Sequence, residues 1–346
     1  MPRKWQRLLT TAAALTALTT SLSACTATVQ APPEQTSSQA GPHSAMQQTA
    51  KRLFQVSAVH EATGMTLLEG PTFGPDGGLY LVDVMAPAGG PKVIKLDVAS
   101  GAVETVYTDD VSAFTSAQFS PHDGRLYLTD FVGGTVQSIT DSGKDHRTFF
   151  QGTLDGVAMN PDDIAFDQEG NLYVTDAAGS QDPYWKPTGR LVRIDKDTAE
   201  GNVLAGNMPA PNGIAFNPAY DGLWVSHNTG NRIDYLRLSA DGYRVQTAHP
   251  AVHVSAGVGQ VDSLAVDAAG NTYVGMHNRA VVLVYRPDGE LAATIAVPRE
   301  DDVSSATNVA LKPGTTEGYM TVSGKGGGFV YGFTALADGV RQSNGG

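Results

Sequence analysis

The 346-residue chain has a single cysteine, Cys25, so no internal disulfide can staple it. Basic residues are scarce. The 23 Lys and Arg stand against 35 Asp and Glu, a net charge of −12 that argues against a nucleic-acid partner. Charged residues of both signs make up only 17% of the chain and apolar ones 41%, which excludes a disordered polymer. No apolar run is suited to spanning a bilayer, because the one from Leu8 to Thr20 is short and rich in threonine. GxSxG, HExxH and a phosphate-binding glycine loop are missing, and no Ser-His-Asp signature takes their place. The GKGGG run beginning at Gly324 reads as a glycine turn. What is plentiful is Gly (39) and Pro (19), the mark of a protein with many turns between short strands.

The N-terminus has the layout of a secretory signal: Arg3, Lys4 and Arg7, an apolar stretch, then Leu22-Ser23-Ala24-Cys25. Those last four residues resemble a bacterial lipobox, whose cysteine is lipidated and becomes the new N-terminus. The expected organisation is a lipoprotein signal peptide over 1–24, a flexible Pro/Ser/Thr/Gln-rich tether over 25–50, a folded domain over 51–340 and a short tail over 341–346. The mature protein is then expected outside the cytoplasm, held to a bacterial membrane only through lipid on Cys25.

The rest of the chain repeats. GPTFGPDGGLYLVD, SAQFSPHDGRLYLTD, DDIAFDQEGNLYVTD, NGIAFNPAYDGLWVSHN, DSLAVDAAGNTYVGMHN and TNVALKPGTTEGYMTVSG align, each an apolar strand, a turn and an alternating aromatic strand. The aromatic marks Tyr80, Tyr127, Tyr173, Trp224, Tyr273 and Tyr319 are 47, 46, 51, 49 and 46 residues apart. Third strands follow in PKVIKLD, GRLVRID and AVVLVYR, and fourth strands in ETVYTD, NVLAG and AATIAV. Four strands per repeat at this period predict an all-β, six-bladed β-propeller with four-stranded blades around a central channel. The segment Arg52 to Val59 is expected to close the ring by completing the last blade.

The first strand of each blade lines the channel, so equivalent residues converge there. Four positions before the apolar references Phe73, Phe119, Phe166, Phe216, Val266 and Leu311 stand Glu69, Thr115, Asp162, Asn212, Asp262 and Thr307. One step on are Gly70, Ser116, Asp163, Gly213, Ser263 and Asn308. Three carboxylates at one end of a channel repel one another unless a cation lies between them. An all-oxygen donor set favours a hard cation: calcium first, with magnesium, manganese and zinc as alternatives.

These segments resemble the senescence-marker-protein/gluconolactonase (regucalcin-like) family, and within it the drug-responsive bacterial lactonases. The motifs are LEGPTF, PDDIAFD, PNGIAF and VDSLAVD, and the similarity runs from about Leu68 to Gly339. The resemblance implies that Glu69, Asn212 and Asp262 hold a catalytic divalent cation, with Asp162 and Ser263 close to it. The repeat alignment prefers Asp162 to Asp163. The resemblance also makes Asp262 the proton-transfer group. A second, structural calcium is not carried over, because FVGGTVQSI (131–139) lacks the Ser-Thr-Gly-Gly loop of the bacterial lactonases. Met159-Asn160-Pro161 stands where the sugar-lactone enzymes place an arginine, so sugar-acid specificity is not carried over either.

Substrate contacts are expected from Asp163, from His227 and His277 at the ends of second strands, and from Tyr184 and Trp185 in the insert AAGSQDPYWKPTGR. The leading expectation is a calcium-dependent lactonase acting on a small ester or lactone. The alternatives are a phosphotriesterase or arylesterase on the same site, and a non-catalytic binding propeller.

Overall fold

The computed structural model describes residues 44–341. The signal peptide, Cys25, most of the tether and residues 342–346 lie outside them. Among the described residues there is no α-helix, only a 3-10 turn at Arg299–Asp301, and the rest of the regular structure is strand.

The chain folds into small antiparallel sheets laid down in sequence order. The first is Leu68–Phe73, Leu79–Asp83, Pro91–Leu96 and Val103–Thr108. The second comprises Phe114–Phe119, Leu126–Asp130, Thr135–Ile139 and Arg147–Gln151. The third runs through Pro161–Phe166, Leu172–Asp176, Gly189–Ile194 and Gly201–Met208, and the fourth through Pro211–Phe216, Gly222–His227, Arg232–Leu238 and Val245–His253. The strands Gln260–Val266 to Leu291–Ala296 and Val303–Leu311 to Gly327–Thr334 continue the pattern, joined into one sheet by the single pair Met276–Ala306. Each sheet's first strand packs beside the next sheet's first strand, and Val303–Leu311 returns to Leu68–Phe73. This closed circuit of small sheets is consistent with a β-propeller.

The aromatic marks of the repeat cement one sheet to the next. Tyr80 meets Phe119 edge-on at a ring separation of 5.0 Å, Tyr127 meets Phe166 at 5.3 Å, and Tyr173 meets Phe216 at 5.0 Å. Tyr319 of the last sheet meets Phe73 of the first at 5.5 Å, so the same contact closes the circuit. Such pairs contribute about 0.5–1.5 kcal/mol each beyond the area they bury. The aspartates ending the second strands fix the turns at one end of the sheets. Asp83 accepts the Leu67 and Met85 amides, Asp130 those of Ala113 and Gly133, and Asp176 those of Asn160 and Ala178.

The N-terminal segment departs from expectation at one point. Lys51–Ser57 pairs antiparallel with Gly327–Thr334, completing the last sheet as expected of Arg52 to Val59. The tether, however, does not extend to residue 50. Met46–Thr49 pairs in parallel with Leu291–Ala296, and Ala50 is buried behind it. The pairing is made by main-chain groups on a sheet edge, so the polar MQQT sequence carries no alternation to announce it.

Candidate metal centre and catalytic cavity

Every inner strand breaks its ladder where the polar residues stand. The register shifts between Glu69 and Thr72, Phe114 and Ser116, Pro161 and Ile164, Pro211 and Ile214, Val261 and Leu264, and Ala306 and Asn308. A bulge re-aims side chains that a regular ladder would send to alternate faces. Here it turns Glu69, Thr115, Asp162, Asn212 and Asp262 into one cavity of about 480 Å³. Hydroxyls of the preceding sheet hold the bulged carbonyls. Thr129 donates to Asp162 O at 2.5 Å, Ser226 to Asp262 O at 2.6 Å, and Thr175 to Asn212 O.

Two glycines make room for this packing. A Cβ on Gly213 would lie 2.5 Å from the Leu264 nitrogen, and one on Gly70 2.5 Å from the Ala117 nitrogen. Gly70 also has a φ of +54°, a left-handed conformation that glycine adopts without steric cost.

The electrostatics are those of crowded, buried acids. Burial drives Glu69 well above its ordinary value, and Asp262, Asp162, Asp163 and Asp83 push it further. Burial, then Asp163 and Asp262, raises Asp162 in the same way. Asp262 is pushed up to about 8 by burial and Asp163, against the opposing hydrogen bonds of Asn212 and the Ser263 amide. Asp163 is raised to about 6 by burial. The Asn212 amide donates to Asp162 at 3.0 Å, and His277 Nδ1 stands 3.9 Å from Asp262 Oδ2. Burial lowers the basicity of His277.

Among the described residues, no three His, Cys, Asp or Glu side chains are already gathered at ligand spacing. The donor set nonetheless fits a hard cation. Glu69, Asp162 and Asp262 are buried and line one cavity with no Lys or Arg in its wall, and burial with neighbouring carboxylates raises all three above their ordinary values. Asn212 supplies the partial positive charge that they lack, and an amide flip would offer its oxygen instead.

The remaining expected residues lie elsewhere. Asp163 and Ser263 do not line the cavity; they sit one layer deeper, where the Ser263 hydroxyl donates to Asp163 Oδ2. Asp163 is thus a support for Ser263, not a substrate contact, because the bulge sends consecutive residues in different directions. His227 is fully buried with its Nε2 2.9 Å from Asp234 Oδ2, which removes it from the substrate's reach. Tyr184 and Trp185 stack edge-on with each other at 5.1 Å and stay largely exposed. Their loop does reach the cavity, but through Ser180, Gln181 and Asp182. Asn228 and Gln260, which also line the cavity and bond to each other at 2.8 Å, were not among the expected site residues. The signal for Asn228 was its place at the end of an aligned repeat, one residue past a second strand, where the next repeat has Asn278.

A cavity of about 500 Å³ at the opposite end, beside Trp224, Tyr235 and Pro287, contains no carboxylate.

The family model described as the SMP-30/Gluconolactonase/LRE-like region matches residues 67–324. No curated protein sequence matches the chain. Among solved structures, a gluconolactonase of Xanthomonas campestris is 18% identical with a TM-score of 0.65, over 83% of this chain and 96% of that one. The calcium-binding protein regucalcin of Agrobacterium tumefaciens is 14% identical with a TM-score of 0.67, over 86% and 98%. The nidogen/laminin complex also has a similar chain, 16% identical with a TM-score of 0.57, over 72% and 93%. At these identities the likeness concerns the fold.

Proposed function

The chain belongs to the SMP-30/gluconolactonase/LRE-like family, and from that membership we propose a metal-assisted hydrolase of cyclic esters. The observation that carries this reading is the convergence of Glu69, Asp162, Asn212 and Asp262, from four separate sheets, on one cavity. We read the circuit of sheets as six four-stranded blades, one for each aromatic mark of the repeat.

Those four residues would hold the cation, calcium before magnesium, manganese or zinc, with Ser263 bracing the deeper layer. When bound, the cation supplies positive charge that polarises the ester carbonyl and offsets the oxyanion. Asp262, as carboxylate, takes a proton from the water whose oxygen bonds to the carbonyl carbon. As the ring C–O bond breaks, Asp262 returns that proton to the departing alkoxide, giving a hydroxy acid. A carboxyl raised toward neutral pH suits both halves of that exchange. His277, its basicity lowered by burial, stands beside Asp262 with Nδ1 3.9 Å from Oδ2.

Hydrolysis of lactones, aryl esters and phosphotriesters, with chelator and then with calcium restored, tests the proposal. Lactone turnover lost on chelation and recovered with calcium supports it; faster turnover of aryl esters or phosphotriesters overturns the lactone assignment. We further propose that Cys25 is lipidated and holds the enzyme outside the cytoplasm. Cys25→Ser should then move the protein from membranes to the soluble extracytoplasmic fraction.

A further inference from the structure

Leu67 and His277, which wall the carboxylate cavity, also wall a neighbouring groove of about 290 Å³. Val59, Met65 and Leu67 give the groove its carbon surface. Its hydroxyls are already engaged within the protein. Thr66 donates to Asp83 at 2.7 Å and Ser304 to the Ser323 carbonyl at 3.3 Å, while Ser305 and Ser323 accept the Asn278 and Leu68 amides, both at 3.0 Å. Apart from His277, Asn278 and the exposed Lys325, which also line it, the groove offers contact area and few free hydroxyls. The cavity is the reverse: Thr115, Gln181, Asn228, Thr229 and Gln260 surround the acids. The rim agrees with the groove, for Met65, Val111, Val132 and Val258 stand exposed in loops at this end of the sheets, and Val157 stands exposed on a two-residue strand.

A ligand that fills both spaces is polar at one end and apolar at the other. Resting on the hydrolase reading above, we propose that the substrate is a lactone bearing an alkyl chain, its ring in the carboxylate cavity and its chain in the groove between Met65 and Ser304. A polyhydroxylated lactone extended the same way would face carbon with hydroxyls left unpaired, a costly arrangement. An alkyl chain instead gains with each methylene buried.

The test uses the full-length protein with calcium and the series γ-butyrolactone, γ-octalactone and γ-decalactone, beside glucono-δ-lactone. The proposal predicts that kcat/KM rises about two- to fourfold per methylene and that γ-decalactone exceeds gluconolactone by about tenfold or more. Met65 is half-exposed, so Met65→Asp leaves the core undisturbed. It should flatten the dependence on chain length, whereas Val103→Asp, equally exposed on an outer strand, should leave the slope as in the wild type. If γ-butyrolactone is hydrolysed but the slope is flat or falling, or gluconolactone is preferred, the groove inference falls and the hydrolase reading stands. If no lactone is hydrolysed, the hydrolase reading falls, and calorimetry with hydroxydecanoate and hydroxybutanoate decides the groove. Tighter binding of the longer acid, lost in Met65→Asp, keeps the groove as an alkyl site, and equal binding overturns it.

Discussion

The side-chain amide of Asn212 reaches across 3.0 Å to Asp162, joining the third and fourth sheets at the wall of the cavity. One neutral group thus moderates the repulsion of acids contributed by different sheets. Asn212→Ala removes a prospective ligand while leaving Asp262 in place. Calcium affinity should fall on the order of 10- to 100-fold, the range seen when metal-site support is lost. Excess calcium should restore part of the lactone turnover by mass action. Calorimetry followed by a calcium-dependent rate assay measures both effects.

The close approach of neighbouring inner strands makes Gly213 sensitive. Gly213→Ala drives a Cβ against the Leu264 amide and Ser263 backbone, so it should cost roughly 1–3 kcal/mol in denaturant unfolding, the scale of overpacking, and weaken calcium binding. Gly206 has open space around its Cβ position and no positive φ, and Gly206→Ala should be tolerated. Equal stability of the two variants would contradict the packing described.

Acidity should stabilise the metal-free protein. Glu69, Asp162, Asp163 and Asp262 have folded-state values above their ordinary ones, Asp163 about 6 and Asp262 about 8. Between the unfolded and folded values the native state binds more protons, so stability rises as pH falls from 8 towards 5. His277 works the other way, since its lowered value favours the folded state at higher pH, but it is one group against four. The melting temperature of chelated protein should therefore increase on acidification over this window. Saturating calcium should flatten or reverse the trend.

The two histidines should separate function from stability. His227→Asn breaks the pairing of the fully buried His227 with Asp234, and should destabilise by about 1–3 kcal/mol with kcat within about twofold of wild type. His277→Asn removes the neighbour of Asp262, and should lower kcat several-fold with little change in melting temperature. Unfolding curves and initial rates on both variants check the contrast.

The repeat was readable because Tyr80, Tyr127 and Tyr173 each need a partner ring on the next sheet, which fixes their spacing. Glu69, Asp162, Asn212 and Asp262 were readable for a related reason: each stands at the same distance from a core position of its strand. The bulges were not readable, because a broken register leaves no mark in composition, and it is the bulge that separates cavity-facing Asp162 from deeper Asp163. His227 misled because its partner, Asp234, lies on the next strand, where only the hairpin register brings them together. The exposure of Tyr184 and Trp185 was not readable, because a loop aromatic is read by its chemistry while its direction depends on the loop's path. Met46–Thr49 was missed because its strand rests on main-chain pairing at an edge.

The central claim is that Asp262 both helps to hold the cation and moves the proton. Asp262→Asn retains an oxygen donor of nearly the same shape and removes the basic carboxylate. The decisive measurement is lactone hydrolysis by this variant across a calcium titration. The account predicts a rate at least about 100-fold below wild type, the scale of losing a positioned general base, and no recovery at any calcium concentration. Recovery of the wild-type rate at high calcium would contradict it, reducing Asp262 to a ligand and assigning the proton transfer to another group.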